Sequence, residues 1–226
     1  MDKRGICSKG ALVIIGGRPG MGKTCLAIDI ARHLSHRQKE NVLIVSLDES
    51  KERIKLRMLN AENQPTKYDN IIISDSPLRS INEIEELCQK AKNVKTVIID
   101  FIQLLCADKG GFESETRQIE MSQIVGRLER MAESLGITLI CTSQVSRQCA
   151  SEKRKDKRPM ISDLCFDTTD VDQILFLHNE HYYNPSEPYK DITECIIAKN
   201  NYGTCGTVRL KWDKERFCFY DTEKII

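Results

Sequence analysis

The chain has 226 residues, 40% of them apolar and 30% charged, which fits one ordinary globular domain and excludes disordered and fibrous classes. Thirty-four basic against thirty-three acidic residues leave a net charge of +1, so a nucleic-acid partner has to be argued from local sites. No apolar run approaches the ~20 residues of a membrane-spanning helix, and the polar start at Met1–Gly5 lacks a secretory h-region, so the expectation is a cytoplasmic chain with no membrane partner.

The first element, Ala11–Ile15, is a continuous apolar run ended by Gly16 and Gly17, as suits a strand buried on both faces. A helix is expected from about Lys23 to His36, with Leu26, Ile30 and Leu34 at four-residue spacing. Val42–Ser46 reads as a second strand, Ser50–Asn60 as a charged helix, and Ile71–Ile73 as a third strand. Ser80 and Glu83 have capping-box spacing and open a helix to about Lys92, followed by a fourth strand, Thr96–Ile99, that stops at Asp100. Residues 115–135 form the longest helical stretch, with Ile119, Leu128, Met131 and Leu135 near one face. Thr138–Thr142 is a fifth strand, and the basic segment Gln148–Pro159 reads as a mobile loop. Ile174–Leu177, Thr193–Ala198, Thr207–Trp212 and Phe217–Tyr220 read as closing strands, with a glycine-containing turn between the second and third. Alternating strands and helices followed by a strand-rich tail predict an α/β fold. Its sheet is doubly wound and mostly parallel, with C-terminal β-hairpins, and no domain boundary divides residues 1–226.

Ten cysteines (7, 25, 88, 106, 141, 149, 165, 195, 205 and 218) are scattered, without CxxC spacing and without a signal peptide. They are expected to be reduced structural thiols rather than a disulfide framework or a metal site.

Gly17, Arg18, Pro19, Gly20, Met21, Gly22, Lys23 and Thr24 satisfy the phosphate-loop pattern, with a buried strand before it and a helix beginning inside it. Glycines let backbone N–H groups face phosphate oxygens, and a helix N-terminus favours the anion. Lys23 would reach the β- and γ-phosphates of ATP, and Thr24 would hold Mg²⁺. Asp100, at the C-terminal edge of a parallel strand, is placed to hold the same metal. Gln144 ends the fifth strand, either as a sensor of the γ-phosphate or as a plain turn residue. Asp48 and Glu49 follow the second strand. There, one carboxylate orients or deprotonates an attacking water, or both simply decorate a helix N-terminus.

With these motifs stand Ser46–Ser50, Val97–Leu105, Thr142–Arg147, Asp156–Leu164, Asp172–Leu177 and Ile196–Gly203, all in one order. From about Ser8 to Phe219 the chain resembles the C-terminal motor domain of DnaB-type hexameric replicative helicases. The resemblance implies a RecA-like P-loop NTPase fold and ATP-driven movement on single-stranded DNA by a ring, each ATP held between neighbouring subunits. It implies Asp48 as the water-activating carboxylate, one methylene shorter than the family's glutamate. Lys199 matches the lysine of a Lys-x-Arg motif whose arginine reaches the neighbour's phosphates, but Asn201 stands where that arginine belongs. Cys165–Thr168 replaces the family's Arg-Glu-Ser-Gly. The family's N-terminal domain has no counterpart in this sequence, so the expected partners include a ring-type homo-oligomer or a protein supplying that domain.

Lys153–Arg158 would offer charges to DNA phosphates, or would simply be a solvated face. Tyr182 and Tyr183 read as packing against the late hairpins rather than as base-stacking groups. An accessory RecA-like protein that binds ATP without unwinding DNA is the alternative reading. A small-molecule kinase is a third, against which stand the Thr142–Arg147 strand end and the hairpin carrying Lys199.

Overall fold

The computed structural model describes residues 8–61, 68–106, 117–186 and 188–222. Its elements are β1 (Leu12–Gly17), α1 (Lys23–Arg37), β2 (Asn41–Ser46), α2 (Lys51–Asn60), β3 (Ile71–Ser74), α3 (Ile81–Lys90) and β4 (Val94–Asp100). There follow α4 (Arg117–Leu135), β5 (Thr138–Gln144), β6 (Gln173–His178), the single turn α5 (Glu180–Tyr183), β7 (Ile192–Asn200), β8 (Gly206–Asp213) and β9 (Cys218–Asp221). All nine strands form one sheet in the order β3-β2-β4-β5-β1-β6-β7-β8-β9. The pairings from β3 through β6 are parallel and the last three are antiparallel.

The apolar runs become strands because both faces of the parallel part are covered. Every residue of β1 is buried. Successive side chains alternate between faces, so Leu12 and Ile14 enter a core with Ile84, Ile124 and Leu128, beneath α3 and α4. Val13 and Ile15 enter a second core with Leu26, Ile30 and Ile54, beneath α1 and α2. The capping box of α3 forms as its spacing predicts: Ser80 Oγ accepts from the Glu83 N–H and Glu83 reaches back to the Ser80 N–H. Ser50 caps α2 in the same way, through the Arg53 N–H.

The structure corrects three local expectations. The buried face of α4 carries Met121, Ile124, Val125, Leu128, Met131 and Ala132, whereas Ile119 is exposed. The segment 148–159 has little regular structure but is tied down. Arg154 grips both oxygens of Asp163 at 2.9 and 2.7 Å, and Arg158 grips Glu194 at 2.6 and 3.1 Å. Tyr183 packs on His178 of β6, ring centroids 5.5 Å apart, while Tyr182 projects into solvent. Nine of the ten cysteines are described, all as free thiols, six of them buried. Cys7 and the first two residues of the expected 115–135 helix lie outside the described residues. Burial pushes Cys25 and Cys88 up to about 11 and Cys141 higher still, so they pack as neutral apolar groups. Among the described residues no helix is long and apolar enough to cross a membrane.

Candidate nucleotide-binding site

Parallel strands present their C-terminal ends on one edge of the sheet, and here that edge gathers Gly17, Ser46, Asp100 and Gln144. The loop after β1 turns through Gly20 (φ +80°) and Gly22 (φ +88°), left-handed positions that an L side chain rarely adopts. Gly22 is the N-cap of α1 and brings no side chain to the first-turn N–H groups, leaving that terminus suited to an anion.

Lys23 folds back so that its Nζ donates to the Arg18 carbonyl at 3.1 Å, across the mouth of the loop. Burial pulls its ammonium down to about 8; the Asp100 charge opposes the shift and Arg18 adds to it. Behind the lysine lies a three-residue polar cluster. Thr24 Oγ1 donates to Asp100 Oδ2 at 2.8 Å, and the Thr142 hydroxyl donates to the other carboxylate oxygen, Oδ1. Asp100 and Thr142 are buried, so both carboxylate oxygens are oriented before any ligand arrives.

Gln144, paired in register with Gly17, is exposed at the end of β5. Its backbone is gripped by Gln103, whose Oε1 accepts the Gln144 N–H and whose Nε2 donates to the Gln144 carbonyl, both at 3.2 Å. Arg18 Nη1 donates to the Val145 carbonyl at 3.4 Å and joins the phosphate loop to the same strand end. Asp48 is exposed beyond β2. Glu49, its neighbour, is clamped by Arg57 at 2.6 and 3.1 Å, and Arg57 Nη1 also donates to Cys25 Sγ at 3.3 Å.

Lys199 is not brought to this edge. It pairs with Ile174 near the start of β6, and Asn200 pairs with Gln173, four residue steps or about 13 Å along the sheet from the level of Gly17. Its Nζ donates to the carbonyls of Thr168 and Thr169 at 2.9 and 3.0 Å. Asn201 donates to Asp172 Oδ1 at 3.3 Å through its amide, and its backbone N–H donates to the Asp172 carbonyl at 3.0 Å.

Thr142 and Gln103 escaped the sequence reading as site residues. A hydroxyl inside an apolar strand was the available signal for Thr142; Gln103 acts from a 3₁₀ turn that residue spacing does not reveal. The donor set fits Mg²⁺. Among the described residues no three His, Cys, Asp or Glu side chains converge to cage a metal. One hydroxyl beside one carboxylate instead suits an ion held largely by phosphates and water.

The model of the DnaB-like helicase C terminal domain matches residues 4–69 and 63–221. The chain belongs to that family. As a DnaB-like C-terminal domain it has the RecA-like P-loop architecture, a mostly parallel sheet closed by antiparallel strands. It is 34% identical to the replicative DNA helicase DnaB of Geobacillus stearothermophilus, over 94% of this chain and 53% of that protein. It is 33% identical to the replicative DNA helicase DnaC of Bacillus subtilis (strain 168), with the same two coverages. The chain thus spans about half the length of the curated relatives it matches. A DnaB-like replicative helicase, solved in a study of its interactions with primase, superposes with a TM-score of 0.81 at 32% identity, covering 93% of this chain and 57% of that one. A second solved structure, an isolated ATPase domain, gives a TM-score of 0.83 at 30% identity, covering 95% and 86%.

Proposed function

We propose that residues 1–226 act as one ATPase motor domain that binds Mg·ATP and couples its hydrolysis to movement along single-stranded DNA in replication. The observation that carries this reading is the Thr24–Asp100–Thr142 cluster set directly behind Lys23 at the mouth of the parallel strands.

In this reading the N–H groups of residues 20–24 and the Lys23 ammonium bind the phosphates, while Thr24 and Asp100 hold Mg²⁺. When bound, the ion neutralises charge on the phosphate oxygens. Asp48 orients the attacking water, and Gln144 feels the γ-phosphate from the strand end beside Gly17. Ser146, two residues on, donates its N–H to the Asp163 carbonyl at 2.7 Å, and Asp163 is gripped by Arg154, so a displacement of Gln144 reaches the basic loop through that ion pair. Of that loop's cations, Arg154 and Arg158 are engaged in ion pairs and Lys157 donates to the Ser151 carbonyl, which leaves the exposed Lys153 and Lys155 to meet DNA phosphates. Lys199 can contribute only to a neighbouring copy's ATP, so the reading includes a ring-type homo-oligomer; a partner supplying a further domain would serve the same end. The relatives' names as replicative helicases speak against an accessory ATP-binding protein.

Steady-state release of phosphate from Mg·ATP, with and without single-stranded DNA, tests this, paired with sizing in the same ligands. Slow release to water, slightly stimulated by DNA, is the expected outcome. Transfer of the phosphoryl group to a small acceptor, or no nucleotide binding at all, would overturn it.

A further inference from the structure

The phosphate loop closes on itself through the Arg18 carbonyl, which accepts from the Met21 N–H at 3.3 Å and from Lys23 Nζ at 3.1 Å. Gly22 carries the left-handed conformation, its carbonyl accepts the Leu26 N–H at 2.9 Å and it has no side chain, so any cover over it has to come from elsewhere in the chain. The structure supplies it from the C-terminal hairpin. A Cβ on Gly22 would lie 2.7 Å from Cζ and 3.0 Å from Cε2 of Phe219, so the aromatic ring occupies the space directly over the glycine.

Phe219 is held through its backbone, through its ring and through the turn that precedes it. The Phe219 N–H donates to Asp29 Oδ2 at 2.8 Å, seven residues or about two turns further along α1, which ties β9 to the helix in register with the loop. Trp212 of β8 backs the ring at 4.9 Å between centroids. The β8–β9 turn continues to Phe217, which touches Trp212 edge-on and lies 5.8 Å from the Arg57 guanidinium that clamps Glu49. The last hairpin is thus a strap across the nucleotide edge, anchored on α1 at one side and on α2 at the other.

We infer that Phe219 is a positioning residue for nucleotide binding: its ring, seated on Gly22, holds the turn from which the phosphate-facing N–H groups project. The inference rests on the reading of residues 17–24 as the phosphate site. Phe219 touches the loop and not the reacting atoms. Without the ring, Gly22 samples both signs of φ, and affinity falls by the fraction of time the loop spends out of its competent form. If that form drops to about one-tenth, the dissociation constant rises about tenfold.

The test is calorimetric titration of the full chain with Mg·ATP, well below each variant's melting temperature. Phe219→Ala should weaken binding about tenfold, and Phe219→Leu should recover most of it. Leu210→Ala truncates a buried β8 side chain of the α1-side core and should lower the melting temperature while leaving the dissociation constant unchanged. Gly22→Ala places a methyl where the ring sits, so its loss of affinity should be partly relieved by Phe219→Leu in the double variant. Unchanged affinity in folded Phe219→Ala overturns the inference. Should that variant not fold, absence of any relief in the double variant overturns it equally. Lys23→Ala separates the two levels. If it binds Mg·ATP normally, the site reading itself fails. If it does not bind while both Phe219 variants bind like wild type, only the role of Phe219 fails.

Discussion

The two ends of the parallel strands use similar side chains to opposite effect. At the C-terminal end, Asp100, Thr24 and Thr142 bond one another across adjacent elements, beside a Lys23 ammonium that folds back on the Arg18 carbonyl and an α1 terminus that no side chain caps. At the N-terminal end, Asp172 is just as heavily bonded: it accepts from the Leu12 N–H at 2.9 Å, from Asn201 and from the Tyr202 hydroxyl at 3.1 Å. There the Leu12 bond ties Asp172 to β1, and the Asn201 and Tyr202 bonds tie the β7–β8 turn to Asp172. Polar density alone therefore does not mark a site; what distinguishes the first end is a lysine ammonium beside a helix terminus that no side chain caps.

Four substitutions would break or sharpen that contrast. Lys23→Ala should abolish detectable Mg·ATP binding in a titration, because it removes the ammonium charge of the phosphate loop. Asp100→Asn should keep much of the nucleotide affinity and lower Mg²⁺-dependent turnover by about 100-fold, read as steady-state phosphate release.

Arg32→Leu probes the buried acid beneath the strap. Asp29 is pushed up to about 6 by burial, with the Phe219 N–H and Arg32 opposing the shift. A carboxylate raised in the folded state adds stability below its unfolded value near 4, and that contribution is lost as pH rises through about 6. Removing Arg32 raises the group further, so the variant should lose roughly 2–4 kcal/mol at pH 8 and clearly less at pH 5. Melting curves at the two pH values check the sign.

Asn201→Arg carries the smallest expected effect. It should raise turnover a few-fold, and only at protein concentrations where copies associate, since this end lies far from its own phosphate loop. A rise that does not depend on concentration would place the turn in the wrong relation to the nucleotide. In related phosphoryl-transfer enzymes an arginine in that role is worth ~10³–10⁵ in rate. The Asp172 carboxylate beside the new side chain is the reason to expect far less.

Most of the fold was legible because its signals are local. Apolar runs bounded by polar residues or glycine fall at β1, β2, β4 and β5, and Ser80 with Glu83 fixes the start of α3. The phosphate loop was legible because its chemistry is confined to eight consecutive residues. What the sequence hid is what the chain assembles from a distance. Phe219 meets Gly22 across almost the full length of the chain, and Gln103 meets Gln144 through a 3₁₀ turn. The run at 153–158 read as one basic stretch, either offered to DNA phosphates or simply solvated. Only its fold separates Arg154 and Arg158, which are engaged by carboxylates, from the exposed Lys153 and Lys155.

The Gln103 grip has a consequence for timing. The β4–β5 pairing ends at Ile99 and Cys141, yet β5 runs on to Gln144. Beyond that point the Gln103 carboxamide makes the two hydrogen bonds that a neighbouring strand would have made. A rung built from a side chain opens by rotation about χ bonds in picoseconds to nanoseconds, whereas a backbone rung opens only when strands part. The β4-side edge of Gln144 can therefore open and close on that timescale while its other edge stays paired with Gly17.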